Sequence, residues 1–386
     1  MGLLQSLVLT TGIWRAVILT PGGELPFGMD IKYNNQQPVV YLMNGGERIE
    51  VNEITLRDDS IIMRLPLYDS EIHAVIKEKE LNGYWINLSR KNKPSLPFKA
   101  EAGKNFRFAE CSTTTRLPEK WRMTFSPGTK DSSFAVGLIH QNGSHLNTAI
   151  LTPSGDYRYL EGNLCNDSLF LSYFDGAFAY LFKAKVSENK IEGTFYAGNH
   201  WQEKFEAIAD AGATLPDPYS LTSMKDRNAP FTFEALRTDS SLFHFPDKKY
   251  EGKVVMIEIM GTWCPNCMDE AAFLSDYYKK ADQKDLVIIG LAFEKTSDFT
   301  KATDNIHRMR ERFHTPYEVL LGGTLADAKE KLSMFNKLNG YPTTVFIDKK
   351  GRVRQIHTGF NGPATGAYFE KTKDDFIHLI NTLIKE

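Results

Sequence analysis

The 386-residue sequence predicts a multidomain protein: an N-terminal all-β half made of two copies of one β-meander, sandwich or barrel, followed by a C-terminal α/β domain. Three observations carry this reading. Short alternating runs of β-branched and aromatic residues fill the first 212 residues, an internal repeat recurs at a spacing near 107, and the hydrophobic period changes after a Gly/Pro-rich segment. Hydrophobic residues at 42% and charged residues at 24% place the chain among folded proteins and exclude disordered and collagen-like classes. A net charge of −2 leaves no basic excess to neutralise phosphates or anionic lipid, so nucleic acid and membrane surfaces are poor candidate partners, local patches aside.

In the β half, runs such as Val39-Val40-Tyr41-Leu42 and Ser168-Leu169-Phe170-Leu171 alternate between Gly, Asn and Asp clusters. The two halves of this region are collinear. Trp14-Arg15 recurs as Trp121-Arg122, Leu67-Tyr68-Asp69 as Tyr173-Phe174-Asp175, Asn82-Gly83-Tyr84-Trp85 as Glu192-Gly193-Thr194-Phe195, and Phe98-Lys99-Ala100 as Phe205-Glu206-Ala207. The spacing gives one copy over 1–105 and a second over 106–212. His73, His140 and His145 lack metal-ligand spacing and read as ordinary histidines, and no catalytic constellation stands out in either copy.

Residues 213–230 shift to Gly, Pro, Asp, Ser and Asn and read as a linker. Beyond it, 231–386 alternates strands and helices. Val254 to Met260 and Leu286 to Phe293 are apolar strands; Asp269 to Lys280, Asp304 to Phe313 and Leu325 to Ser333 have helical character. Strands at Thr343 to Asp348 and Arg352 to His357 and a last helix at Asp374 to Ile384 complete the pattern. No run of 18 apolar residues occurs, and Leu3 to Thr11 is too short to span a bilayer and lacks the features of a secretory signal. That leaves a cytoplasmic protein or a mature exported one.

Of four cysteines, Cys111 and Cys165 stand alone and read as small buried hydrophobes without a role, although a separation of 54 residues also permits a bridge. Cys264 and Cys267 form a C-x-x-C at the junction of a buried strand and a helix. There, unpaired backbone N–H groups and the helix dipole stabilise a thiolate, which makes Cys264 the nucleophile and Cys267, one turn further in, the resolving thiol. A structural zinc site would need a second ligand pair, which is missing. A peroxidatic P-x-x-x-T-x-x-C would put Pro at Ile257 and Thr at Gly261, and neither is there.

Together, Gly261-Thr262-Trp263-Cys264-Pro265-Asn266-Cys267, Gly340-Tyr341-Pro342-Thr343-Thr344 and Phe346-Ile347-Asp348 resemble the TlpA/ResA-like branch of the thioredoxin superfamily, over about 228–386. The β half lies outside this resemblance. It implies a thioredoxin-like fold and a thiol-disulfide oxidoreductase without cofactor or metal, acting on oxidised protein substrates and re-reduced by an upstream thiol protein. It also implies a periplasmic or cell-envelope location. By motif, Pro342 matches the family's cis-proline, beside Tyr341. Glu270 matches an acid that tunes the thiols, or merely complements the helix dipole. Glu258 interrupts the strand six residues before Cys264, where thioredoxins carry a buried acid. It is either a buried proton acceptor for Cys267 or a solvent-facing residue of an edge strand. Trp263, Pro265, Asn266 and Tyr341 line the substrate side, Trp263 shielding the sulfurs or simply packing beside the strand, and the lack of a histidine between the cysteines favours a reductant over an oxidant or isomerase. The competing class is a binding module, in which the β half captures a partner and the dithiol senses redox state.

Overall fold

The computed structural model describes residues 9–66, 69–88, 90, 95–281 and 283–386; residues 3–8 of the N-terminal stretch and Leu67-Tyr68 of the repeat lie outside them. The chain divides into two compact units, 1–150 with 157–214 and 151–156 with 215–386.

Two nine-stranded antiparallel sheets make up the first unit, except that the strand Gly155–Asp156 and the last two residues of the strand His145–Thr152 belong to the 151–156 segment of the second unit. One is built from β1 (Gly12–Thr20), β2 (Gly23–Asn34), β3 (Gln37–Asn44), β4 (Glu47–Val51), β5 (Glu53–Arg57), β6 (Ser60–Arg64), β7 (Ser70–Lys77), β8 (Glu80–Asn87) and β9 (Ser95–Ala102), in the order β4-β3-β2-β1-β9-β8-β7-β6-β5. The other comprises β10 (Lys120–Phe125), β11 (Ser133–Asn142), β12 (His145–Thr152), β13 (Gly155–Asp156), β14 (Leu160–Cys165), β15 (Ser168–Phe174), β16 (Ala179–Ser187), β17 (Lys190–Ala197) and β18 (Trp201–Ala209). Its order is β11-β10-β18-β17-β16-β15-β14-β12-β13, and β11 also pairs with β12, which closes the strands into a barrel and removes its open edges.

The repeat is visible in the pairing register. Trp14 sits opposite Ala102 and Ile18 opposite Phe98 in the first sheet; Trp121 sits opposite Ala209 and Phe125 opposite Phe205 in the second. Both tryptophans are fully buried, and each indole N–H donates to a carbonyl just upstream, Trp14 to Thr10 at 2.9 Å and Trp121 to Pro118 at 2.7 Å. The repeated glycines have a shared cause as well. Gly83 faces Ala74, and Gly193 faces Ala184. A Cβ at either would meet the neighbouring strand's backbone, at His73 or Lys183.

Strand patterning accounts for the cores. β3 and β7 alternate strictly between buried and half-exposed positions, one face turned inward. Between the sheets runs the buried Arg107, which donates to Ser172 Oγ and O at 2.9 and 3.0 Å, Asn44 Oδ1 at 3.0 Å, Met43 O at 3.1 Å and Glu161 at 3.2 Å. The reading of Cys111 and Cys165 as buried hydrophobes is corrected: both are half-exposed and joined in a disulfide with Cα atoms 5.7 Å apart.

In the second unit, the sheet order is β20-β19-β23-β22-β21-β24-β25, with β19 (Phe233–Leu236), β20 (Leu242–Phe245), β21 (Val254–Met260), β22 (Leu286–Glu294), β23 (Glu318–Thr324), β24 (Thr343–Ile347) and β25 (Val353–Thr358). β21, β22 and β23 are parallel; β24 and β25 run antiparallel on the other side of β21. The helices are α1 (Pro265–Lys280), α2 (Phe299–Phe313), α3 (Leu325–Lys331) and α4 (Ala367–Lys385). All residues of β21 and β22 are buried, as expected of central strands covered on both faces. α4 starts seven residues before the Asp374 read from sequence, because the polar run Glu370-Lys371-Thr372-Lys373 masks its period. No helix among the described residues is long and apolar enough to cross a membrane.

Candidate active site

The site is built where the central strand β21 ends and α1 begins. Cys264 is the N-cap of α1, with extended backbone angles, Pro265 as the first helical residue, and Cys267 N–H donating to its Sγ at 3.2 Å. Proline suits that position because its missing N–H would have been unpaired there anyway. The sulfurs of Cys264 and Cys267 are joined as a disulfide, with Cα atoms 5.2 Å apart. Cys264 is 5% exposed and Cys267 fully buried, so an approaching substrate reaches Cys264 first.

The preceding turn is held from behind by the end of β22. Thr262 donates to the Glu294 carboxylate from both its backbone N–H and its hydroxyl, each at 2.8 Å, and the Trp263 indole N–H donates to Phe293 O at 2.9 Å. Lys295 Nζ lies 4.6 Å from the Trp263 ring centroid, a cation–π contact. Burial pushes the Glu294 carboxyl above its ordinary range. Across the site the Tyr341–Pro342 peptide bond is cis, Tyr341 O lies 3.7 Å from Cys264 Sγ, and the Tyr341 ring meets Trp263 edge-on at 5.6 Å. Asn266, between the cysteines, donates from Nδ2 to the backbone oxygen of Asp156, a residue of the same unit, at 3.3 Å.

Two carboxyls lie beneath the dithiol. Glu258 is fully buried in β21, between β22 and β24, which removes the edge-strand alternative. Its Oε2 accepts from the Tyr317 hydroxyl at 3.2 Å, while Oε1 has no partner. Glu270, three residues beyond Cys267 on α1, is 1% exposed; Thr344 Oγ1 donates to its Oε1 at 2.5 Å, and Oε2 is unpartnered. Thr344 sits directly opposite Glu258 in the β21–β24 register, so the two acids share one corner of the core. Burial raises Glu270 to about 8, and burial together with the Glu270 charge raises Glu258 well above the ordinary carboxyl range. A carboxyl poised near neutrality can take a proton from a thiol and give it back.

The sequence motifs thus come together in space: Cys264, Cys267, Trp263, Pro265, Asn266, Tyr341, Pro342, Glu258 and Glu270 all belong to one locality. Sequence reasoning missed Glu294, Tyr317 and the task of Thr344. Thr344 was inside a quoted motif, and Glu294 was visible as an acid ending an apolar run. Tyr317 left no signal, being 59 residues from its partner.

Among solved structures, a thioredoxin-family thiol:disulfide interchange protein from Chlorobium tepidum TLS overlays with a TM-score of 0.31 and 19% identity, covering 45% of this chain and 99% of that one. Residues 227–356 match the AhpC/TSA family. The thiol-disulfide oxidoreductase ResA of Geobacillus thermodenitrificans is 26% identical over 166 residues, 43% of this chain and 78% of its own. ResA of Geobacillus kaustophilus is 27% identical over 163 residues (42% and 75%), and the thiol:disulfide interchange protein DsbE of Vibrio cholerae is 28% identical over 145 residues (37% and 70%). With the family match, these relatives make the C-terminal region a thioredoxin-like domain carried by an oxidoreductase. Over this region the chain is similar to the ResA-type thiol-disulfide oxidoreductases.

Proposed function

We propose that this domain reduces disulfides in protein substrates through the Cys264–Cys267 dithiol. The Cys264 thiolate attacks a substrate disulfide to give a mixed disulfide; Cys267 then attacks Cys264 Sγ, and the substrate leaves reduced. The observation that carries this reading is the placement of Cys264: at the N-cap of α1, where the helix end favours a thiolate, with the buried Cys267 one turn behind and Glu270 below. Glu270 and Glu258 serve as acceptors of the Cys267 proton. The backbone beside Pro342 and the faces of Trp263 and Tyr341 receive an extended substrate segment, with Pro265 and Asn266 at its margin.

The Cys111–Cys165 disulfide favours a periplasmic or cell-envelope setting, because such bonds persist in oxidising compartments. Re-reduction then falls to an upstream thiol protein. The test is trapping. Cys267→Ser accumulates a mixed disulfide with an oxidised protein substrate, and Cys264→Ser forms none; adducts of equal yield in both variants would defeat the assignment of nucleophile and resolving thiol.

A further inference from the structure

Residues 151–156, which belong to the second unit, lie beside the dithiol. Leu151 pairs with Asp156 and Thr152 with Gly155, so Pro153 and Ser154 form a two-residue hairpin turn, braced by the Thr152 hydroxyl donating to Gly155 O at 3.0 Å. This hairpin touches several separate segments around the site. Asn266 Nδ2, between the cysteines, donates to Asp156 O at 3.3 Å, and Gly362 N–H donates to the buried Asp156 carboxylate at 2.6 Å. Ser154 packs on Gly340, two residues before the cis-proline, and Pro153 and Ser154 pack on Gly359, whose N–H donates to Pro342 O at 2.8 Å. Glycine stands at the points of closest approach. A Cβ on Gly340 would come within 2.8 Å of Ser154 Cβ, one on Gly359 within 2.5 Å of Pro153 O, and one on Gly155 would run into the Asn266 side chain. Surfaces that merely graze one another need no such clearance, so the fit is written into the sequence on both sides of the contact.

We propose that residues 151–156 form a strap that determines which substrates reach Cys264. The proposal deepens the exchange reading of Cys264 and Cys267 and rests on it. That reading places an extended substrate segment on the backbone beside Pro342, with Asn266 at its margin. The strap bears on both, through Asn266 and through Gly340 and Gly359, and so takes up space a broad substrate would need. Cys264 itself is only 5% exposed. A small disulfide or a single extended chain enters alongside the strap, whereas a folded substrate must first push it aside. The strap is held by one charge-assisted bond from Gly362, one amide bond from Asn266 and packing on glycine, all of which a substrate that binds the open site can displace. Size selection thus comes from the cost of moving the strap, and the chemistry at the sulfurs is the same for every substrate.

The reduced full-length protein is treated with N-ethylmaleimide and, separately, with a maleimide carried on a branched polyethylene glycol, and the rate of labelling at Cys264 is read from its peptide. Asp156→Ala removes the acceptor for Gly362 N–H. It is expected to raise labelling by the bulky reagent about tenfold and by N-ethylmaleimide less than about twofold. Asp156→Asn keeps an acceptor in place and should restore the wild-type ratio. Gly155→Val lifts the strap by another route, since its side chain collides with Asn266, and should act in the same direction as Asp156→Ala. Equal acceleration of both reagents, or an unchanged ratio in both folded release variants, would overturn the strap. Single-turnover oxidation of the reduced protein by insulin and by oxidised glutathione should repeat the pattern, with insulin gaining more in the release variants. A shifted labelling ratio with no exchange toward either disulfide would uphold the covering of Cys264 and defeat the exchange reading instead.

Discussion

Two buried ionic sites in this protein are built on opposite plans. Arg107, in the β-rich unit, is enclosed between sheets and directs five hydrogen bonds onto carbonyls, a hydroxyl, an amide and the Glu161 carboxylate. Burial lowers its proton affinity only to about 10, so it stays charged at every physiological pH. Glu258 and Glu270, in the thioredoxin-like unit, are equally buried, yet each keeps one oxygen without a partner, and burial brings Glu270 to about 8. A saturated charge is fixed in one state and holds structure. An incompletely bonded carboxyl is left able to change state, which suits a proton acceptor and costs stability.

Substitutions should separate the two plans, and the largest expected effect is at the sulfur. Cys264→Ser is predicted to abolish disulfide exchange entirely while leaving thermal unfolding of the β-rich unit untouched; residual turnover at the wild-type rate would move the chemistry elsewhere. Next in size is Arg107→Ala, which strands its acceptors and the Glu161 charge. It should destabilise the β-rich unit by about 3–5 kcal/mol in denaturant titration without altering exchange by the folded fraction. An exchange defect with unchanged stability would show that Arg107 is no mere strut.

Glu270→Gln should slow resolution of the mixed disulfide about tenfold, seen in single-turnover kinetics. It also carries a signed pH dependence. The folded carboxyl binds its proton up to about 8, against an ordinary value of 4.5, so its contribution to stability is complete below that lower value and is lost as pH rises toward the higher one. Wild-type stability should therefore fall relative to Glu270→Gln between these limits, and a pH-independent difference would contradict the raised affinity. The smallest effect is expected at Thr344→Val, which deletes the donor to Glu270 and should cost about 1–3 kcal/mol, with Thr344→Ser recovering most of it.

How far the sequence foretold this molecule depends on whether a feature is local. β21, with all seven residues buried, followed from a continuous apolar run, and the body of α1 from its helical character over Asp269 to Lys280, although the helix opens four residues earlier, at Pro265. The repeat was legible because Trp14/Trp121 and Gly83/Gly193 occupy equivalent, sterically demanding positions. Barrel closure through β11 and β12 was not, since a strand does not record which distant edge it will meet. The Cys111–Cys165 bond was equally hidden: spacing permits a bridge but cannot bring two Cα atoms together. In the candidate site, Cys264, Cys267, Glu270 and Pro342 announced themselves through motif spacing. The burial of Glu258 stayed open until the strand order put β21 between two neighbours. Tyr317 acts across the fold on Glu258 and nothing in its local sequence marks it; Glu294 ends a visible apolar run, but nothing local ties it to Thr262.

The direction of electron flow is the central claim, and the equilibrium reduction potential of the Cys264–Cys267 pair tests it most directly. Titration of the full-length protein in defined dithiol buffers, with Cys267→Ser as control, should give a value near or below thioredoxin's, about −270 mV. A potential close to that of a strong disulfide oxidant, about −120 mV, would make the protein an oxidase of substrate thiols and contradict the account.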